Sequence, residues 1–90
     1  MGNIFNKQDL FHTCAVYEKD TFNVYYNRKK VEQATAKTFE DLGHCYGKDV
    51  FDVFYNGELI PNADATTFSV DIDGKYAYDS SNTYYMGKKI

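Results

Sequence analysis

Four residues are of the types that build a tetrahedral zinc site: His12 and Cys14, one residue apart, and the adjacent pair His44-Cys45. The two cysteines introduce the first strands of two successive sequence units, so their proximity is conceivable. Neighbouring residues on a strand point to opposite faces, however, and His44 and Cys45 could not both reach one metal without distortion. The spacings also miss the usual zinc-ligand patterns. A disulfide between Cys14 and Cys45 would need an oxidising compartment. The expectation is two reduced, mostly buried cysteines and no metal or other cofactor.

Carboxylates are numerous, among them Asp49, Asp52, Asp64, Asp71 and Asp73. Several recur once per sequence unit, which turn chemistry explains better than a single active site does. No Gly-rich phosphate loop, G-x-S-x-G elbow or H-E-x-x-H is present. The expectation is a protein that is not an enzyme. A net charge of −3 and a pI near 5.2 oppose binding to a phosphate backbone as the main task.

The elements that must position these residues come from a repeat. Residues 17–39 (YEKDTFNVYYNRKKVEQATAKTF) and 46–68 (YGKDVFDVFYNGELIPNADATTF) agree at eleven of 23 positions at an offset of 29. A third copy, YAYDSSNTYYMGKKI, ends at Ile90. Nine Tyr and seven Phe, with no Trp, favour pleated, half-buried surfaces. Each unit parses as a short strand (15–19, 45–48, 75–78), an Asp-led turn (20–23, 49–52, 79–82) and a second strand (24–26, 53–55, 83–85). A tight turn follows at Asn27-Arg28, Asn56-Gly57 or Met86-Gly87. After Val31 or Ile60 an Ala-rich turn, with room for one helical turn, leads to Phe39 or Phe68, which should plug the core. Residues 6–13 read as a short N-terminal helix or, alternatively, a strand.

The expected fold is therefore all-β or β-dominated α+β: an antiparallel meander of tandem β-hairpins, about six strands in one curled sheet. It forms a single domain over 1–90, with a cap segment (1–14), repeats at 15–44 and 45–74, and a truncated repeat at 75–90. Residues 83–86 would be an open edge able to pair with a second protomer.

The runs KDTFNVYYNRKKV, KDVFDVFYNGELI and YDSSNTYYMGKKI, two of them followed by Ala-x-x-x-Thr-Phe, resemble the DKNYY repeat family of bacteria. The resemblance covers residues 15–90. The chain departs from the pattern at Arg28, at Glu58-Leu59 and at Ser80-Ser81. The resemblance implies tandem β-hairpins and carries over no catalytic residue.

Alternation places Phe22, Val24 and Tyr26, like Phe51, Val53 and Tyr55, on a core-like face. The other face carries Asn23 and Tyr25, Asp52 and Phe54, Asn82 and Tyr84. If exposed, this stripe suits protein contact; otherwise the segments carrying Phe39 and Phe68 cover it. Tyr25, Phe54, Tyr84 and Asp52 are the candidate binding residues. Arg28-Lys29-Lys30 and Lys88-Lys89 could line up as a basic edge, which either guards the sheet or binds a single nucleic-acid strand. The expected function is protein binding by a small inhibitor or immunity-type protein of the anti-defence or anti-CRISPR class. A self-associating structural module comes second and a single-strand nucleic-acid binder third. The start lacks a basic n-region and apolar core, and no apolar run reaches the ~20 residues of a membrane span, so a cytoplasmic location without membrane contact is expected.

Overall fold

Two turn chemistries recur and set the architecture. In the first, an aspartate folds back on its own chain. The Asp20 Oδ1 accepts the N–H groups of Phe22 (2.9 Å) and Asn23 (2.8 Å), and Asp49 and Asp79 do the same for Phe51 and Asp52 and for Ser81 and Asn82. In the second, two consecutive residues adopt positive φ: Asn27-Arg28 (53° and 70°), Asn56-Gly57 (56° and 81°) and Met86-Gly87 (50° and 81°). That is the type I′ geometry, whose twist matches the flanking strands.

A computed structural model describes residues 14–90. Strands β1 (Tyr17–Lys19), β2 (Val24–Tyr26) and β3 (Lys29–Lys30) form one antiparallel sheet. The second sheet runs β4 (Glu40–Gly43), β5 (Tyr46–Lys48), β6 (Val53–Tyr55) and β7 (Glu58–Leu59) in that order. The third contains β8 (Ser69–Val70), β9 (Tyr76–Tyr78), β10 (Thr83–Tyr85) and β11 (Lys88–Lys89). A single 3₁₀ turn, Ala36–Thr38, lies in the first crossover. The fold is thus β-rich and antiparallel, but three sheets replace the single curled sheet expected, with eleven strands among the described residues rather than about six. The additions are the two-residue strands after each tight turn and β4 and β8, which join the sheet that follows them. The expected helix over residues 6–13 lies outside the described residues.

The sheets share their cores. One cluster joins Tyr17, Val24, Tyr26, Val31, Ala36 and Phe39 to Phe54 of the second sheet. The other joins Tyr46, Val53, Ile60, Ala65 and Phe68 to Ala77 and Tyr84 of the third. Each crossover phenylalanine is the filling between two sheets, with Phe39 and Phe54 ring centroids 5.9 Å apart and Phe68 and Tyr84 5.4 Å apart. A unit of this size cannot bury its apolar faces alone and takes its neighbour as lid.

Polar ties repeat at both junctions. The Lys19 Nζ donates to the carbonyls of Ala36 (2.9 Å) and Phe39 (3.1 Å), as the Lys48 Nζ does to Ala65 (2.8 Å). The Tyr17 hydroxyl donates to the Cys45 carbonyl (2.8 Å) and accepts the Gly57 N–H (3.0 Å), and the Tyr46 hydroxyl accepts the Gly87 N–H (2.9 Å). Burial, opposed in part by the Gly57 bond, pushes the Tyr17 phenol above its ordinary pKa. Replacing Tyr17 or Tyr46 by Phe should cost about 1–2 kcal/mol each, because a glycine N–H then loses its acceptor. A urea titration with unchanged midpoints would show that water substitutes freely at the junctions.

Two expectations about edges change. Strand β10 lies between β9 and β11, so residues 83–86 are not an open edge; the edge is Lys88–Lys89. Lysines on so short a strand discourage edge pairing.

Candidate functional site

Because consecutive sheets stack face to face, residues equivalent by the repeat are not neighbours on one surface. Phe54 and Tyr84 are each only 1% exposed and belong to the two inter-sheet cores. At Phe54 and Tyr84 the aromatic stripe expected as a contact surface is therefore covered, by the crossovers that carry Phe39 and Phe68. Tyr25 is half-buried, and its hydroxyl sits 3.4 Å from the Asp20 Oδ2. Asp52 is half-buried too, with its backbone tied to Asp49 through N–H and C=O. The four candidate residues do not assemble into a site.

Of the residues expected in the core on the opposite face, Val24, Tyr26 and Val53 are buried, but Phe22 and Phe51 are exposed. Phe22 is 82% and Phe51 70% exposed, with exposed Val50 beside Phe51. Alternation misassigned them because the pleat begins only at Val24 and Val53; Phe22 and Phe51 sit in the Asp-led turns, where period-two reasoning does not apply. In principle the Asp-x-Phe spacing marks them, since an aspartate that caps the N–H two residues on fixes that residue at a turn tip.

These tips are held firmly. The Asp49 Oδ2 accepts the Thr35 N–H (2.6 Å) and the Thr38 hydroxyl accepts the Val50 N–H (3.3 Å), so the second turn is bolted to the first crossover. The third turn repeats this, with Asp64 N–H on Asp79 Oδ2 (2.9 Å) and Ser80 N–H on the Thr67 hydroxyl (2.9 Å). All Asp-led turns lie at one end of their sheets, and all tight turns, with exposed Arg28, Lys29, Lys30, Lys88 and Lys89, at the other. At one end of the sheets the turns carry aspartates and, in the first two, exposed apolar tips; at the other end the basic residues are interrupted by Glu58.

Electrostatics follow the turns. Hydrogen bonds from Asn23 and Phe22 hold the Asp20 carboxyl below its ordinary range. Burial pulls Asp79 upward, but bonds from Asp64, Tyr84, Ser81 and Asn82 outweigh it and hold the carboxyl at about 2. Burial and the bond to Asp79 push the Tyr84 phenol up to about 12. A depressed carboxyl pKa contributes stability above its unfolded value and loses it as pH falls through the folded one. The urea midpoint should therefore fall between the ordinary 3.8 and about 2. Asp79→Asn should flatten that part of the profile; an unaltered slope would refute the assignment.

Cys14 and Cys45 form a disulfide, with Cα atoms 5.1 Å apart. This overturns the expectation of two reduced cysteines and takes both sulfurs away from any zinc site. His44 and Cys45 are not on a strand: both have positive φ (54° and 75°) and form the tight turn between β4 and β5. Among the described residues no group of three or more His, Cys, Asp or Glu could hold a metal ion. Within the same residues, no helix is long and apolar enough to cross a membrane.

The DKNYY family model matches residues 3–89. The chain belongs to the DKNYY family. The match also takes in most of residues 1–14, which precede the first sequence repeat. No match was found among characterised proteins or among solved structures. In this DKNYY chain Lys19, Lys48, Asp20, Asp49, Asp79, Tyr17, Tyr46, Gly57 and Gly87 of the repeated pattern are engaged in scaffold bonds.

Proposed function

We propose that this DKNYY chain is a non-enzymatic protein-binding module acting through its Asp-led turns, with Phe22, Val50 and Phe51 as apolar anchors among carboxylates. The observation that carries this reading is the exposure of Phe22 and Phe51, 82% and 70%, at equivalent turn tips fixed by aspartate bonds. Rigid aromatic anchors supply contact area at low entropic cost and are enriched in binding hot spots. The acidic surroundings suit a basic partner patch. Blocking such a patch is how an inhibitor or immunity-type protein would act. The disulfide favours an oxidising compartment over the cytosol for that encounter.

The test is affinity capture with the wild type and with Phe22→Ser/Phe51→Ser. The double variant should keep its free energy of unfolding within about 0.5 kcal/mol per site, as read by urea titration, since surface changes rarely cost more. It should weaken a stoichiometric partner at least about thirtyfold, the scale expected for one aromatic hot spot or more. Undiminished capture by the folded variant would sink the assignment.

A further inference from the structure

Asn56 is the one asparagine in the chain that is followed by glycine. An asparagine side chain is open to attack by the main-chain nitrogen of the next residue. Glycine leaves that approach unobstructed, whereas Arg28 after Asn27 and Thr83 after Asn82 crowd it. Asn56 is exposed and borders a groove of about 340 Å³ that it shares with Asn27, Lys29, Lys30 and Glu58, so water has access to it. The attacking nitrogen is held back. The Gly57 N–H donates to the hydroxyl of buried Tyr17 (3.0 Å), and the Asn56 N–H donates to the Cys45 carbonyl (2.7 Å). That carbonyl also accepts the Tyr17 hydroxyl proton (2.8 Å). A Cβ at Gly57 would stand 3.0 Å from the Tyr26 side chain, so the peptide has no room to turn while the junction is closed.

We propose that Asn56 is a site of spontaneous modification, converted to aspartate and isoaspartate through a cyclic imide, and that the Tyr17 hydroxyl is the latch that keeps it shut. The Gly57 nitrogen loses its proton and bonds the Asn56 Cγ; the Cγ–Nδ2 bond breaks, and ammonia leaves with a proton in exchange. Water then opens the imide at either carbonyl. Opening at the main-chain carbonyl routes the backbone through the former side chain, one methylene longer, and frees a carboxylate. A two-residue turn that holds Tyr55 opposite Glu58 cannot absorb that methylene in register, so Gly57 loses its seat on Tyr17 and Tyr26. The modification forms when the first junction opens, and it keeps that junction open.

The test follows Asn56 in folded, full-length wild type, Tyr17→Phe and Tyr46→Phe at mildly alkaline pH, by peptide mapping and by methyltransferase labelling of isoaspartate. Each variant loses one tyrosine–glycine bond, with similar cost in stability, but only Tyr17→Phe releases the Gly57 nitrogen. Tyr17→Phe is expected to convert Asn56 about tenfold faster than wild type, the factor that one ordinary hydrogen bond supplies. Tyr46→Phe is expected to match wild type. Equal acceleration by both would show that conversion waits on global unfolding and would overturn the latch, as would no acceleration by Tyr17→Phe. A second reading needs no variant: across mild urea concentrations the wild type should convert Asn56 in proportion to hydrogen exchange at the Gly57 amide. Conversion that ignored that exchange rate would also overturn the proposal.

Discussion

Asp49→Ala is expected to lower the free energy of unfolding by about 3–5 kcal/mol, because three N–H groups lose a charged acceptor, each such bond contributing roughly 1.5–3 kcal/mol and water recovering part of the loss at the tip. The carboxylate is 2% exposed and binds the Phe51, Asp52 and Thr35 N–H groups at 2.8, 2.7 and 2.6 Å. The first two close its own turn; the third binds the preceding crossover and cannot be replaced by solvent without parting two sheets. Asp20→Ala is the internal standard. Asp20 is exposed and makes the same two turn bonds, so it should cost only about 0.5–2 kcal/mol, as ordinary caps do. Urea titration of both variants isolates the junction bond as the difference. Equal losses would show that the motif's aspartate serves its turn alone.

Reducing the Cys14–Cys45 bridge, or replacing both residues by Ser, should cost about 3–4 kcal/mol. With a sequence separation of 31, the loop-closure entropy that the bridge removes from the unfolded chain is of that size. A domain of this length has only about 5–13 kcal/mol in total. The melting temperature should then fall by roughly 12–30 °C. The bridge also anchors Cys45, a non-glycine residue held at φ 75°. Thermal melts with and without reductant provide the check, with the double-Ser variant unresponsive to reductant. Coincident melts of all three samples would refute the contribution.

Local structure was legible in the sequence where turn chemistry dictates it. The second strands at Val24–Tyr26, Val53–Tyr55 and Thr83–Tyr85, the Asp-led turns, the tight turns and the buried Phe39 and Phe68 all follow from residue types whose preferences act over a few positions. The covering of Phe54 and Tyr84 did not follow, because alternation says which residues share a face and nothing about which face meets a neighbour. A sheet with another on each side has no solvent face at all, and Phe54 lies in such a sheet. Phe22 and Phe51 were misplaced for a different reason: strand periodicity was extended two residues into a turn. The disulfide depends on a fold that brings residues 14 and 45 together, and neither spacing nor composition contains that distance.

Tyrosine to glycine, aspartate to crossover N–H and threonine to turn N–H are the same couplings at the first junction as at the second. The third unit is thus joined to the second as the second is to the first. Removing or adding one complete repeat of 29 or 30 residues would keep the spacing these couplings need, whereas a deletion of a few residues within one would break the couplings at that repeat's own junctions. The molecule's length is a number of stacked layers, free to change in whole steps. The bridge from Cys14 to Cys45 adds a covalent tie to the first of the junctions described.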